Sequence, residues 1–187
     1  MTDALVFEVR FHSPFRVATG AAAEGLDTVL NLADPLPGSS LKGLMRDAAR
    51  QPLRADPGLV NQVFGSQFDE SPWVWCGAEP VAGGWGQASV RARLEIDEHT
   101  HTAKEDLVAF GQMLEPPGPA RFQILRRGAV ADADLPAHTA LLRACAAAVK
   151  HLGAERRRGL GWVTVVPAAP ITAGDLALIR SQGGRDA

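Results

Sequence analysis

The stretch "LPGSSLKGLMRDAAR", residues 36–50, decides where the first helix begins and what fold can follow it. Leu41, Leu44, Met45 and Ala48 recur at helical spacing and form one apolar stripe. Ser39 or Ser40 offers a hydroxyl that can cap a free backbone N–H, and Pro52 bounds the far end. Gly38 and Gly43 also give the pattern G-x-x-x-x-G. A P-loop needs Lys and then Ser or Thr directly after its second glycine, so that the amine reaches phosphate and the hydroxyl reaches magnesium. Here Leu44 and Met45 follow, and Lys42 comes before. Nucleoside triphosphate binding is therefore excluded. What is left is a helix start with a glycine, two hydroxyls and a lysine in its first turn. Free N–H groups there favour an anion, and a backbone phosphate would serve. A capped helix without a ligand is the plainer reading of the same residues.

Working outward, "ALVFEVRFHSPF" (4–15) alternates apolar and polar residues. Leu5, Phe7, Val9 and Phe11 share one face, as in a half-buried strand. A long loop rich in Gly, Ala and Pro follows, with a short extended piece at 28–32. After the first helix, "PGLVNQVFGS" (57–66) reads as helical and closes at Gly65. "SPWVWCGAEP" (71–80) reads as a strand. Residues 88–115 read as a strand, an excursion around 99–105 and a returning strand. "ARFQILRRG" (120–128) is a further strand with Phe122 and Ile124 on one face. The clearest helix is "DADLPAHTALLRACAAAVKHLG" (132–153), with Leu141, Leu142, Cys145, Val149 and Leu152 as its apolar face and Gly153 placed as a C′ glycine. A strand in "GLGWVTVVPAAP" (159–170) and a short helix in "ITAGDLALIRS" (171–181) finish the chain. The order β, loop, α, β, β, β, α, β predicts an α+β fold of the ferredoxin-like kind, a split β-α-β unit repeated.

Length, composition and charge narrow the function classes. The 187 residues suit one domain, and 46% hydrophobic with 21% charged residues is ordinary globular composition. No apolar run is long enough to span a membrane, and the N-terminus does not read as a secretory signal. Cys76 and Cys145 fit neither a zinc site nor a disulfide framework, so reduced thiols in the cytoplasm are expected. A net charge of −2 counts against a free-standing nucleic-acid binder, though not against local basic patches.

Such patches exist. Arg156, Arg157 and Arg158 lie between glycines in "LGAERRRGLGWV" (152–163), where backbone can approach closely and guanidiniums can grip phosphates. A solvated charged turn is the commoner use of such a run. Arg126 and Arg127 end a strand. The five histidines have no metal-ligand spacing and are expected to be exposed; His12, after the first strand, could serve as a general base. Asp27 lies in a glycine- and alanine-rich loop upstream of the anion-friendly helix. A carboxylate near bound phosphate is costly unless it holds a metal or handles a proton, and a turn residue is the bland alternative.

These pieces together resemble the RAMP superfamily of CRISPR proteins. "GLDTVLNLADPLPGSSLKGLMR" (25–46) is similar to its first signature, an Asp-bearing loop before "PGSSLKG" and a helix with Arg46. "VFGS" (63–66) resembles its Phe-Gly element, and "LGAERRRGLGWV" its glycine-rich loop. "IDEHTHTA" (96–103) and "EPPGPARF" (115–122) resemble the flanks of the thumb-like hairpin of type III backbone subunits. The resemblance implies a modified ferredoxin-like, or RRM, fold forming a single domain over 1–187. The thumb-like β-hairpin would be inserted at roughly 88–118, and a C-terminal tail would span 171–187. It implies a subunit that stacks with further copies of itself along a CRISPR RNA, beside other type III effector subunits. Such a subunit cleaves complementary target RNA at regular intervals, with Asp27 as catalytic residue. Asp27 would position a divalent metal, Mg2+, or take the proton of the attacking 2′-hydroxyl. Ser39, Ser40, Lys42, Arg46, Arg156, Arg157 and Arg158 would bind RNA. Asp97, His99, Thr100 and Thr102 would form the working part of the thumb. The loop from Asp27 to Pro37 is shorter than the commonest type III form, which motivates a second expectation, a crRNA-binding scaffold that does not cut. A repeat-RNA processing endoribonuclease using His12 is the third.

Overall fold

β1 (Ala4–Phe11) alternates as its sequence predicts: Phe7 and Val9 are fully buried, and Leu5 and Phe11 pack against the same core. The computed structural model describes residues 4–17, 29–96, 103–116, 118–153 and 159–182. Around β1 the sheet runs in the order β2 (Trp73–Trp75), β6 (Ala120–Arg126), β1, β7 (Val163–Pro167), all neighbours antiparallel. The short β3 (Glu79–Pro80) also pairs with β6. β1 and β2 thus run parallel on either side of β6, and β6 and β7 run parallel on either side of β1. That is the twice-repeated split β-α-β of a ferredoxin-like sheet. Phe7 sits opposite Phe122 in the register, and their rings stack at 4.9 Å.

The crossover helices cover the face that carries Phe7, Val9, Phe122 and Ile124. α1 (Gly38–Arg50) buries Leu41, Met45, Ala48 and Ala49, and α3 (Leu135–Ala148) buries Leu141, Leu142 and Cys145. Each large apolar side chain buried this way is worth about 1.5–3 kcal/mol. Between them lies α2 (Pro57–Phe64), capped by Asp56, whose carboxylate accepts from the Leu59 N–H at 2.8 Å. α4 (Ala173–Gln182) packs on α3 and begins with a reciprocal Thr172–Asp175 cap; the same carboxylate pairs with Arg143 of α3.

β4 (Ala88–Ile96) and β5 (Ala103–Leu114) form a separate antiparallel hairpin inserted between β3 and β6. Its root is fixed to the end of β1. Phe15 and Leu114 exchange backbone hydrogen bonds at 2.9 Å, and the buried Phe15 ring stacks on Phe11 and leans on Trp85. The chain is therefore a modified ferredoxin-like α+β fold carrying an inserted β-hairpin.

Four details differ from expectation. α1 starts at Gly38 with Pro37 as N-cap, so Ser39 and Ser40 lie inside the first turn and neither caps it. The predicted strand at 71–80 is two short strands interrupted at Cys76–Ala78, where Cys76 and Ala78 donate to Gln123 and Leu36 carbonyls. α3 ends at Ala148, before Gly153. Gly153 has φ +66°, and a Cβ there would also overlap the Arg16 carbonyl, so the position calls for glycine on both counts. Finally, His138 is buried, not exposed. Its Nδ1 accepts from the Trp73 indole N–H at 3.2 Å, and burial pushes the imidazole below its ordinary pKa against the pull of Asp134. It is a neutral core acceptor.

Candidate nucleic-acid interface

The first turn of α1 is pressed against the end of β2. A Cβ on Gly38 would overlap the Trp75 carbonyl oxygen, so only glycine permits this approach. The contact fixes the azimuth of the helix and hence which of its polar residues face outward along the β2 edge. Ser39, Lys42 and Arg46 stand at i, i+3 and i+7, one face of a helix. All three line a cleft of about 720 Å³, closed on its other side by the loop from Gly65 to Ser71 and floored by Trp73 and Trp75. Ser40, one residue round the helix, is half-buried and does not line it.

Among the described residues the two cations have no ion-pair partner. Lys42 Nζ sits 5.3 Å from the centre of the Trp75 ring, a cation–π contact. Burial, and then the neighbouring Arg46 charge, hold its pKa below the ordinary lysine value, with Glu70 opposing more weakly. Arg46 donates from Nη2 to the Gly65 carbonyl at 3.0 Å, while its buried Nε has no hydrogen-bond partner among the described residues. No described carboxylate lies within ion-pair range of either side chain. A partly desolvated pair of like charges is stabilised by an anion placed between them.

The opposing loop is tightly built. Ser66 Oγ accepts from the Phe68 and Asp69 N–H groups at 3.1 and 3.0 Å and donates to the Asp69 carboxylate. Ser71 Oγ lies within hydrogen-bond reach of the Val63 and Trp73 carbonyls, its one proton going to the nearer, Val63, at 2.7 Å, and it accepts from the Trp73 N–H. Gly65, at φ +83°, has no room for a Cβ beside the Asp69 carbonyl and the Ser71 N–H. At the tip the Phe68 ring is 90% exposed. Sequence reasoning missed both Phe68 and Trp75 as site residues. The signal for the first lay in "SQFDES" (66–71), a Ser-x-x-Asp turn around a single aromatic that belongs to no apolar period.

The remaining predicted residues fall elsewhere. Asp27, Asp97, His99, Thr100, Thr102, Arg156, Arg157 and Arg158 lie outside the described residues. The described ends flanking two of these segments, the Asp27 loop and the arginine run, do meet. Arg16 O abuts Gly153 at one end of the Asp27 loop, and the Leu30 N–H donates to Gln112 of the hairpin at the other, at 3.3 Å. The Gly161 N–H, just after the arginine run, donates to Pro14 at 2.8 Å. His12 is exposed on the opposite side of the sheet, where its Nε2 meets Thr164 Oγ1 at 2.8 Å. Among the described residues no group of three His, Cys, Asp or Glu could hold a metal ion, and no helix is long and apolar enough to cross a membrane.

Comparison with known proteins agrees with this architecture. A search of curated proteins by sequence gives no match. By structure the chain resembles a chain of the type III-B Cmr-beta complex bound to cognate target RNA, with TM-score 0.60 and 14% identity. That likeness covers 90% of this chain, which spans 62% of the length of the other. It also resembles a chain of the Cmr-beta complex in its apo state, with TM-score 0.66, 10% identity, and 90% and 98% of the two chains covered. The sequence signature of the RAMP superfamily matches residues 11–164. With that match over most of its length, the chain belongs to the RAMP superfamily.

Proposed function

We propose that this chain is a backbone subunit of a type III CRISPR effector. Copies of it line up on a CRISPR RNA beside other effector subunits, and each cuts the complementary target RNA once, through Asp27. The observation that carries the reading is the Lys42–Arg46 pair, unpaired and aimed with Ser39 into a cleft at the start of α1. Phosphate contacts of this kind fix a protein's position on RNA without reading sequence. The inserted hairpin and the likeness to chains of Cmr-beta complexes support the same reading. A few contacts per copy, summed along a filament, also suit a chain whose net charge is −2.

In the cut itself, the 2′-hydroxyl oxygen of one nucleotide attacks its own 3′-phosphorus in line. The proton goes to the Asp27 carboxylate, and the 5′-oxygen of the next nucleotide leaves and takes a proton from water. The products are a 2′,3′-cyclic phosphate and a 5′-hydroxyl. The thumb-like segment near Asp97–Glu105 would splay the nucleotide to reach the in-line geometry. Mg2+, which Asp27 would position in the alternative role, would stabilise charge at the scissile phosphate, and it is supplied in the test.

The test is target cleavage by the complex assembled with its guide. Wild type should cut complementary RNA at regular intervals in Mg2+, and Asp27→Ala should leave it whole while still binding it. Equal cutting by the variant would remove Asp27 from the chemistry. An intact target with wild type would leave the scaffold reading, which the short loop from Asp27 to Pro37 favours.

A further inference from the structure

We propose that Phe68 is a base-stacking platform, so that the α1 cleft holds one unstacked nucleotide of single-stranded RNA, its phosphate on Lys42 and Arg46 and its base on the Phe68 ring. This rests on the reading of the chain as an RNA-binding subunit and adds a contact to the base.

Three observations carry it. First, the ring is displayed rather than merely uncovered. The Ser66 hydroxyl ties down the backbone N–H of Phe68 itself, and Gly65 makes the turn that lifts the loop off the core. Phe64 and Trp75, stacked at 5.4 Å just beneath, are buried while Phe68 is 90% exposed. Second, the ring, the two cations and Ser39 line the same 720 Å³ cleft. A groove that tracks phosphates beside an aromatic ring is what single-stranded nucleic acid binds without sequence preference. Third, the usual alternative platform is missing. RRM sheets stack bases on aromatic residues of their two central strands. Here the outward residues of those strands are Val6, Glu8 and Arg10 on β1, and Arg121, Gln123 and Leu125 on β6. None is an aromatic ring, so β1 and β6 lack the aromatic platform of an RRM sheet on that face. Asp69 and Glu70 also line the cleft, and neither ties up a cation. Asp69 is turned into its own loop by Ser66, and Glu70 is exposed and not ion-paired to either cation.

The test uses the full chain and two fluorescein-labelled RNA oligonucleotides of equal length, one with all its bases and one abasic at every internal position. Wild type should bind the base-bearing RNA more tightly. Phe68→Ala should weaken that binding about tenfold, leave abasic binding unchanged, and melt at the wild-type temperature. Phe68→Trp should restore the difference. Lys42→Ala should weaken both RNAs. Unchanged affinity of Phe68→Ala for base-bearing RNA would overturn the proposal. So would an equal loss on both RNAs, which would mean that the loop acts by its shape. Normal RNA binding with lost self-association, read by light scattering, would make Phe68 a contact between protein copies and overturn it too. If wild type binds neither RNA, the functional reading itself fails, and the stacking role with it.

Discussion

Two charged surfaces of this molecule look alike in composition and differ in how their charges are spent. On the open sheet face Glu8 lies between Arg10 and Arg121, at 3.0 and 3.3 Å, and these hydrogen bonds hold its carboxyl below the ordinary range. The register puts the three there: Glu8 faces Arg121 across the strand pair, and Arg10 is two residues along. Next to them His12 and Thr164 satisfy each other. The α1 cleft also holds two cations, but Lys42 and Arg46 contact an aromatic ring and a backbone carbonyl, and neither is ion-paired to the Asp69 and Glu70 carboxylates that line the same cleft. On the first surface one carboxylate engages both arginines. In the second neither cation is ion-paired among the described residues, so both are open to an anion. Counting charges does not separate the two; their partners do.

The comparison breaks most severely if the cleft is not assembled. Gly38→Ala should destabilise the chain by about 3 kcal/mol in urea unfolding, because backbone atoms of Trp75, not a flexible side chain, would have to move. RNA affinity should fall in the same variant. A wild-type midpoint would mean that the close approach of α1 to β2 does not set the site.

A smaller effect separates the surfaces by pH. The pKa of Lys42 is lowered by burial and by Arg46, so its charge is lost at a lower pH than that of an exposed lysine. Affinity for an anion should be complete below that lowered value and decline as pH rises through it, by about threefold to tenfold. A 2′-deoxy oligonucleotide, stable in alkali, is the right probe. Arg46→Ala removes the like charge and should move the decline to higher pH. The sheet face, whose cations are arginines, should contribute no such step. A flat profile up to the ordinary lysine range would place the bound phosphate away from Lys42.

Much of the fold was legible because it is written in short periods. The alternation of Leu5, Phe7, Val9 and Phe11 and the stripe of Leu41, Met45 and Ala48 each need one buried face, and any face will do. What escaped was set by distant partners. Ser39 and Ser40 have the right chemistry to cap a helix, but Gly38 fits against Trp75, and the helix starts before the serines. His138 reads as a polar surface residue until the Trp73 indole, 65 residues away, supplies its buried partner. Of the site, the spacing of Ser39, Lys42 and Arg46 along one helix face was in the sequence. That Ser40 points elsewhere, that neither cation is ion-paired among the described residues, and that the loop after α2 displays Phe68 opposite them depends on the packing of α1 on β2.

The central claim is that the α1 cleft, and not the open sheet face, holds RNA backbone. It is tested most directly by the salt dependence of single-stranded RNA binding in two double variants, Lys42→Ala with Arg46→Ala, and Arg10→Ala with Arg121→Ala. Each phosphate contact on a single strand contributes about 0.7 to the slope of log affinity against log salt. The cleft variant should lose affinity and flatten the slope by about 1.4, two contacts' worth, while the sheet variant keeps the wild-type slope. An unchanged slope in the cleft variant, or an equal loss in both, would contradict the account.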